Sequence, residues 1–214
     1  MIKIPLSLLE EARTNTKEIV DRLSNQNRSF RGRYSKFQAW KNAAISYHKS
    51  KSHNLNHIIA SMENSLKKNF KTLKNNPKAL QEYTDKLELY VEDHHRNNFH
   101  FIESINRFEI RIGKSNVIIS GQIPIINMID NNNYGVIFFT KKETIWEQEL
   151  KFPLLQYHFA KSQYKCDLSQ VFVGVYCFET DRHYIQSFNR NTIIHTLTEV
   201  ADIASAIEAD LSAS

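Results

Sequence analysis

The sequence is poor in the residues that build the simplest ligand sites. It has only two cysteines, Cys166 and Cys177, whose separation matches no metal-ligand spacing and argues against a disulfide. Its five glycines form neither a phosphate-binding loop nor the Gly-x-Ser-x-Gly motif of a triad hydrolase. No apolar run approaches the length of a membrane span, and the charged N-terminus does not resemble a signal peptide. We therefore expect a soluble, cytoplasmic protein without a membrane partner.

Acidic residues are almost missing from one long segment. Residues 28–78 contain twelve Lys or Arg and one acid, Glu63, so the segment carries +11 although the whole chain carries only +5. A basic segment on an otherwise mildly acidic protein is typical of a polyanion partner, most simply nucleic acid. The alternative is an ordinary solvated helix surface. The residues expected to contact nucleic acid are Arg28, Arg31, Arg33, Lys36, Lys67, Lys68, Lys71 and Lys74.

The spacing of apolar residues predicts helices first and a sheet afterwards. Helical spacing predicts helices over 6–23, 35–49 and 55–73, and a fourth that begins at Pro77. Strands are predicted over 107–112, 117–126 and 136–141, then a helix from Phe152, strands over 171–178 and 182–188, and a last helix capped by Asn191. We expect one α/β (α+β) protein, with a basic helical part over 1–100 that forms one wall of a cleft, and an α/β core over 101–214.

Two of the predicted strands contain a family pattern. The first includes Gly121 and Pro124, and the second ends in Phe139, Thr140 and Lys141. The pair resembles the RecB-type branch of the PD-(D/E)XK nuclease superfamily, in which a strand with Gly-x-x-Asp precedes a strand with Asp/Glu-x-Lys. The resemblance implies a restriction-endonuclease-like core, an αβββαβ mixed sheet. It places Pro124 and Phe139 at the two acid positions and Lys141 at the lysine position.

The resemblance implies a degenerate active site. In the family the two acids bind Mg²⁺ or Mn²⁺, hard cations that need oxygen ligands, and neither proline nor phenylalanine supplies one. Such relatives often carry a histidine on a helix ahead of the sheet, which His57 matches in position, and some carry an iron-sulfur cluster that two cysteines cannot hold. We therefore expect an inactive nuclease-like subunit without cofactor, which binds nucleic acid or partner proteins within a CRISPR, phage-defence or similar assembly.

Three alternatives remain open from the sequence. The acids could have moved to Glu149, which precedes Lys151 in an acid-x-lysine triplet, or to Asp130 or Glu103, giving an active Mg²⁺- or Mn²⁺-dependent nuclease. The protein could instead be a structural subunit whose basic helices bind an acidic partner. The two strands could also belong to an unrelated α/β protein, since apolar runs bounded by turn residues are common.

Overall fold

The fold is a mixed sheet covered by helices on both faces. A computed structural model describes residues 1–24, 34–50, 52–130 and 132–212. In these ranges the strands are β1 (Ile2–Pro5), β2 (His100–Arg111), β3 (Val117–Met128), β4 (Tyr134–Thr140), β5 (Val171–Cys177) and β6 (Arg182–Gln186). The helices are α1 (Leu9–Thr14), α2 (Thr16–Ser24), α3 (Lys36–Lys49), α4 (Leu55–Asn69), α5 (Lys71–Lys74), α6 (Pro77–Arg96), α7 (Lys151–His158) and α8 (Arg190–Ser212). The expected mixed α/β architecture is confirmed.

Strand β3 is central to the sheet because it pairs with three other strands. Its outer edge pairs antiparallel with β2. Its inner edge pairs in parallel with β1 over Val117–Ser120 and antiparallel with β4 over Ile125–Met128. Strand β5 lies parallel to β4, and β6 pairs antiparallel with β5. The β3 residues between Ser120 and Ile125 therefore have neither β1 nor β4 as a ladder partner, and the sheet is split at this point.

Each face of the sheet carries its own apolar core. On one face, α1, α2, α7 and α8 bury side chains against Ile119, Val136 and Val173. On the other, α3, α4 and α6 bury side chains against Ile125, Ile137 and Tyr176. A single layer of helices cannot cover both faces of a sheet. The fold therefore has three layers, with the sheet between two layers of helices.

The β2–β3 ladder is irregular beside the split. Its register shifts three times between Phe101 and Phe108, and one shift inserts an extra β3 residue between Ile123 and Ile126. Pro124 lies in that insertion. Proline has no N–H to donate to a ladder, so a bulge next to an unpaired edge is where a long strand tolerates it.

Several element predictions are corrected by the structure. The first hundred residues are not purely helical, because residues 2–5 form β1 and join the sheet. The first predicted helix is interrupted at Asn15, and the third at Phe70, whose φ of −129° and ψ of 95° are extended. Strand β2 begins at His100, seven residues earlier than its alternation predicts. No helix in the described ranges is long and apolar enough to cross a membrane.

Candidate nucleic-acid-binding cleft

A cleft of about 590 Å³ opens at the split in the sheet. Helix α3 forms one wall, as the sequence predicts for part of the N-terminal segment, and β2, β3 and β4 form the others. The α3 residues along it are polar and lie at helical spacing, with the apolar Ile45 between them. They are Gln38, Lys41, Asn42, Ser46 and Lys49. The strand residues are Ser104, Ile105, Gln122, Ile123, Pro124, Phe138 and Phe139. The side chains at both acid positions of the family pattern, Pro124 and Phe139, thus line the same cleft.

The cleft is cationic. It is lined by Lys41 and Lys49, and no carboxylate belongs to the described residues that line it. Burial lowers the pKa of the half-buried Lys41, and no described acid forms an ion pair with it. A lysine held partly out of water without a carboxylate partner retains an unmet attraction for an anion, such as a phosphate. This lysine was not among the predicted contacts.

The aromatic ring of Phe139 is held rigidly between the cleft and the core. The rings of Trp40 and Tyr90 form T-shaped contacts with it, each with ring centroids 5.5 Å away. Trp40 is fully buried and also stacks on Tyr176 with centroids 5.7 Å apart. Because these contacts fix the ring, Phe139 forms a preorganised apolar floor.

Three other residues of the family pattern, Lys141, His57 and Gly121, do not line the cleft. Lys141 follows the end of β4, is exposed and does not line the cleft with Pro124 and Phe139. His57 lies in the first turn of α4, is exposed and does not line the cleft either. Gly121 has a packing role, since a Cβ there would lie 3.0 Å from the ring of Phe108 on β2.

The first candidate for a displaced acid is Glu149. It lies just before α7, on the face of the sheet that α1, α2, α7 and α8 cover, which we call the far face. It forms an ion pair with Lys151 at the start of α7. It also lies near Glu10, which accepts a 2.6 Å hydrogen bond from the Leu150 N–H. Burial raises the pKa of Glu10, and Glu149 raises it further. The hydrogen bond from Leu150 to Glu10 therefore joins α1 to the start of α7, and neither Glu10 nor Glu149 lines the cleft.

The other two candidate acids also have local roles. Asp130 accepts hydrogen bonds from the N–H groups of Asn132 and Asn133 at 3.0 and 2.9 Å, which lower its pKa and close the β3–β4 turn. Glu103 lies beside Tyr164, whose pKa is raised first by burial and then by this carboxylate. Tyr164 packs on the far-face core. None of the three candidates supplies an oxygen ligand to the cleft.

The predicted basic surface is separate from the cleft. Lys67, Lys68, Lys71 and Lys74 are exposed at the end of α4 and on α5. Because the chain is extended at Phe70, Lys67 and Lys71 belong to different helices and not to the single helix predicted over 55–73. Lys67 also pairs with Glu63 at 3.1 Å. Lys36 begins α3 without lining the cleft, and Arg28, Arg31 and Arg33 lie outside the described residues.

The residues missed at sequence level had a visible signal. Gln38, Lys41, Asn42, Ile45 and Lys49 recur at intervals of three and four, which places them on one face of a helix. The opposite face of α3 is apolar and buried, through Ala39, Trp40, Ala43, Ala44 and Tyr47. The polar stripe was thus detectable, but the sequence alone did not show that it faces a cleft and not bulk solvent.

A second cleft, of about 650 Å³, lies where the C-terminal ends of α3 and α6 meet the start of β2. Five of the nine histidines line it, namely His48, His53, His94, His95 and His100. His48 Nε2 lies 2.6 Å from the Tyr90 hydroxyl, and the rings of His48 and His94 are 4.3 Å apart. Within the described residues, no group of three or more His, Cys, Asp or Glu side chains is arranged to hold a metal ion.

The two buried histidines that line this cleft, His48 and His94, are neutral in the folded protein at pH 7. Burial, together with the smaller effects of the charges of His53 and His183, lowers the pKa of His48 to about 3. Burial lowers the pKa of His94 to about 2, and its Nδ1 has no hydrogen-bond partner within the described part of the chain. These side chains are part of the core between α3 and α6, so we assign them a role in stability.

Comparison with known proteins does not identify a family. No protein-family model matches the chain, and no curated protein matches it. Among solved structures, the chain is similar to one titled "Crystal structure of SSO0001", with 13% sequence identity and a TM-score of 0.30, over 92% of this chain and 86% of that one. At this TM-score the similarity carries no argument for fold or function.

Proposed function

We propose that the protein is a catalytically inactive, PD-(D/E)XK-like subunit that binds nucleic acid in the cleft between α3 and the split sheet. The observation that carries the proposal is the lining of the cleft, which has two lysines, several amide side chains and no carboxylate among its described residues. Such a lining attracts phosphate but cannot bind a catalytic divalent cation.

The order of the elements supports the nuclease-like assignment. Helix α6 precedes the antiparallel strands β2, β3 and β4, and α7 then connects β4 to the parallel strand β5. This order agrees with the αβββαβ arrangement that the resemblance predicts, and so supports the proposal. The cleft lies where β3 and β4 separate, next to the two positions at which the family pattern requires acids.

Salt-dependent binding of a fluorescent oligonucleotide tests the cleft. Replacing Lys41 with Gln should weaken binding and lower the log-log salt slope by about 0.7 for single strands, because one phosphate contact is lost. The matched control is Lys114→Gln, which changes an exposed lysine in the β2–β3 turn, about 20 Å along β3 from Ile123. It should leave the slope unchanged.

The predicted basic surface at the end of α4 and on α5 is the competing candidate for the nucleic-acid site. Replacing Lys67, Lys68, Lys71 and Lys74 together with Gln should lower the log-log salt slope less than Lys41→Gln alone, since these side chains lie outside the cleft. If the quadruple variant abolishes binding and Lys41→Gln does not, the α4–α5 surface is the nucleic-acid site. If no variant changes binding, or the protein binds no nucleic acid, a protein-interaction role is the better assignment.

Catalysis and metal binding test the assignment of an inactive site. We expect no Mg²⁺- or Mn²⁺-dependent cleavage of DNA or RNA by the purified protein. The double variant Pro124→Asp with Phe139→Asp should gain Mn²⁺ binding in isothermal titration calorimetry, because it places two carboxylates in one cleft. The single variant Pro124→Asp is the matched control and should bind more weakly. A double variant that folds but binds no Mn²⁺ would contradict the nuclease-like layout.

A further inference from the structure

The floor of the cleft is suited to a flat apolar group more than to a phosphate. Pro124, Ile123 and Phe139 line it, and the Phe139 ring is fixed by Trp40 and Tyr90. A phosphate placed against these side chains would lose its hydration without gaining hydrogen bonds there, which is unfavourable. A nucleobase placed there would instead bury an apolar face against a rigid aromatic ring, a contact that favours binding of unpaired bases.

The rim of the cleft offers paired hydrogen-bonding groups. The Gln38 side-chain amide donates to Oδ1 of Asn42 at 2.7 Å. That bond leaves the side-chain oxygen of Gln38 as an acceptor and the side-chain amide nitrogen of Asn42 as a donor, and both residues line the cleft. Gln122, on the opposite wall, has a further exposed amide. Amide side chains with one donor and one acceptor match the edge of an unpaired base.

The volume of the cleft and the positions of its two lysines also fit a nucleotide. A volume of about 590 Å³ lies within the range of small-molecule sites and is sufficient for one nucleotide but not for a duplex. Lys41 and Lys49 lie two helical turns apart on α3, about 12 Å by helical rise, so they can contact successive phosphates on either side of a bound base.

We propose that the cleft holds a single unpaired nucleotide, with the base on the Pro124–Phe139 floor and the flanking phosphates at Lys41 and Lys49. The partner is therefore single-stranded nucleic acid, or a duplex with an unpaired end or bulge. A base within an intact duplex cannot enter, because both its faces are stacked and its edge is paired. This inference rests on the proposed function and adds the class of nucleic acid that the cleft binds.

Competition between matched oligonucleotides tests the inference with the unmodified full chain. A labelled single strand should be displaced about ten-fold less effectively by its own duplex than by the unlabelled single strand. An otherwise identical strand with one abasic position in the bound register should bind about ten-fold more weakly than the intact strand. Equal binding of single strand and duplex, or of abasic and intact strands at every register, would overturn the inference.

A variant of Phe139 tests whether the floor of the cleft causes the preference for single strands. Phe139→Leu keeps an apolar side chain but removes the aromatic face, so it should reduce the single-strand preference while binding to duplex stays unchanged. A 2-aminopurine base in the bound strand should show quenched fluorescence with the wild-type protein and less quenching with Phe139→Leu. If that variant fails to fold, Gln122→Ala tests the rim instead: it should weaken binding of the intact strand more than that of the abasic strand, and equal losses for both strands would contradict the unpaired-base site.

The outcomes separate the two proposals. Binding that requires Lys41 but does not distinguish intact from abasic strands leaves the proposed function standing and refutes the unpaired-base site. Absence of binding to every nucleic acid refutes both.

Discussion

Mild acid should destabilise the protein through its buried histidines. His48 and His94 are 6% and 3% exposed, and burial lowers their pKa values from 6.5 to about 3 and about 2. Both imidazoles are therefore neutral in the folded state down to low pH, whereas in the unfolded chain they gain a proton below pH 6.5. Since the unfolded state binds more protons, the free energy of unfolding decreases as the pH falls below about 6.5.

The size of the effect follows from these pKa values. Between pH 7.5 and 5.5, each neutral buried histidine should lower the free energy of unfolding by about 1.4 kcal/mol, so the two together account for about 3 kcal/mol. That loss is a large part of the roughly 5–15 kcal/mol available to a typical domain. Burial also lowers the pKa of His183, which adds to the loss in the same direction.

Urea unfolding at several pH values measures this dependence. Trp40 and Trp146 are both buried, so tryptophan fluorescence reports loss of the core. The variant His94→Phe removes one titrating group and a nitrogen without a partner, and should reduce the decrease between pH 7.5 and 5.5 by about 1.4 kcal/mol. An equal free energy of unfolding at both pH values, or an unchanged pH dependence in the variant, would refute the assignment of neutral buried histidines.

Two further predictions concern packing and buried hydrogen bonds. Gly174→Ala should destabilise the protein by about 3 kcal/mol or more in urea unfolding, because its Cβ would lie 2.0 Å from the backbone oxygen of Tyr184. Gly113→Ala, at a φ of +53° with open space around it, should cost only about 1 kcal/mol, and similar losses in both variants would contradict this account. Gln156→Leu should cost about 3 kcal/mol or more, since it leaves the buried partners of that fully buried side chain unpaired, whereas the exposed Gln163→Leu should change stability by less than about 0.5 kcal/mol. A mild effect of Gln156→Leu in thermal or urea unfolding would show that water replaces those hydrogen bonds.

Sequence patterns predicted the elements whose packing is regular. The apolar run Val171–Phe178 corresponds closely to β5, which is covered by helices on both faces and so is apolar at nearly every position. The stripe that includes Ile193, Val200 and Ile207 corresponds to α8, where these residues are buried. In both, local periodicity and tertiary environment agree.

The predictions failed where tertiary contacts decide the conformation. Strand β1 has four residues, too few for alternation to distinguish it from a loop, and it forms because β3 offers it an unpaired edge. The break at Phe70 interrupts a continuous helical spacing, and the Phe70 ring there lies 6.1 Å from that of Tyr34. Neither the free edge nor the ring contact is visible in the local sequence.

For the candidate site as well, the sequence predicted the composition of a region but not the positions of its side chains. The excess of positive charge in residues 28–78 was evident from composition, but composition weights every lysine equally. The structure separates Lys41, which is half-buried in a cleft, from Lys68, which is exposed to solvent, and only the first has lost hydration that a bound anion could replace. Exposed charges contribute little individually, so the position of a lysine matters more for specific binding than the number of lysines.

Helix α3 links the two clefts, and this link constrains how the protein can respond to pH. Lys41 and His48 lie on the same helix about 10 Å apart by helical rise, with the fully buried Trp40 anchoring the helix to the sheet. Because α3 cannot leave the core without exposing Trp40, protonation of the buried histidines should not open the cleft while the rest of the fold stays intact. Acid should therefore abolish nucleic-acid binding only where tryptophan fluorescence also reports unfolding. Loss of binding at a pH that leaves the fluorescence unchanged would instead place the titrating groups in the binding cleft itself.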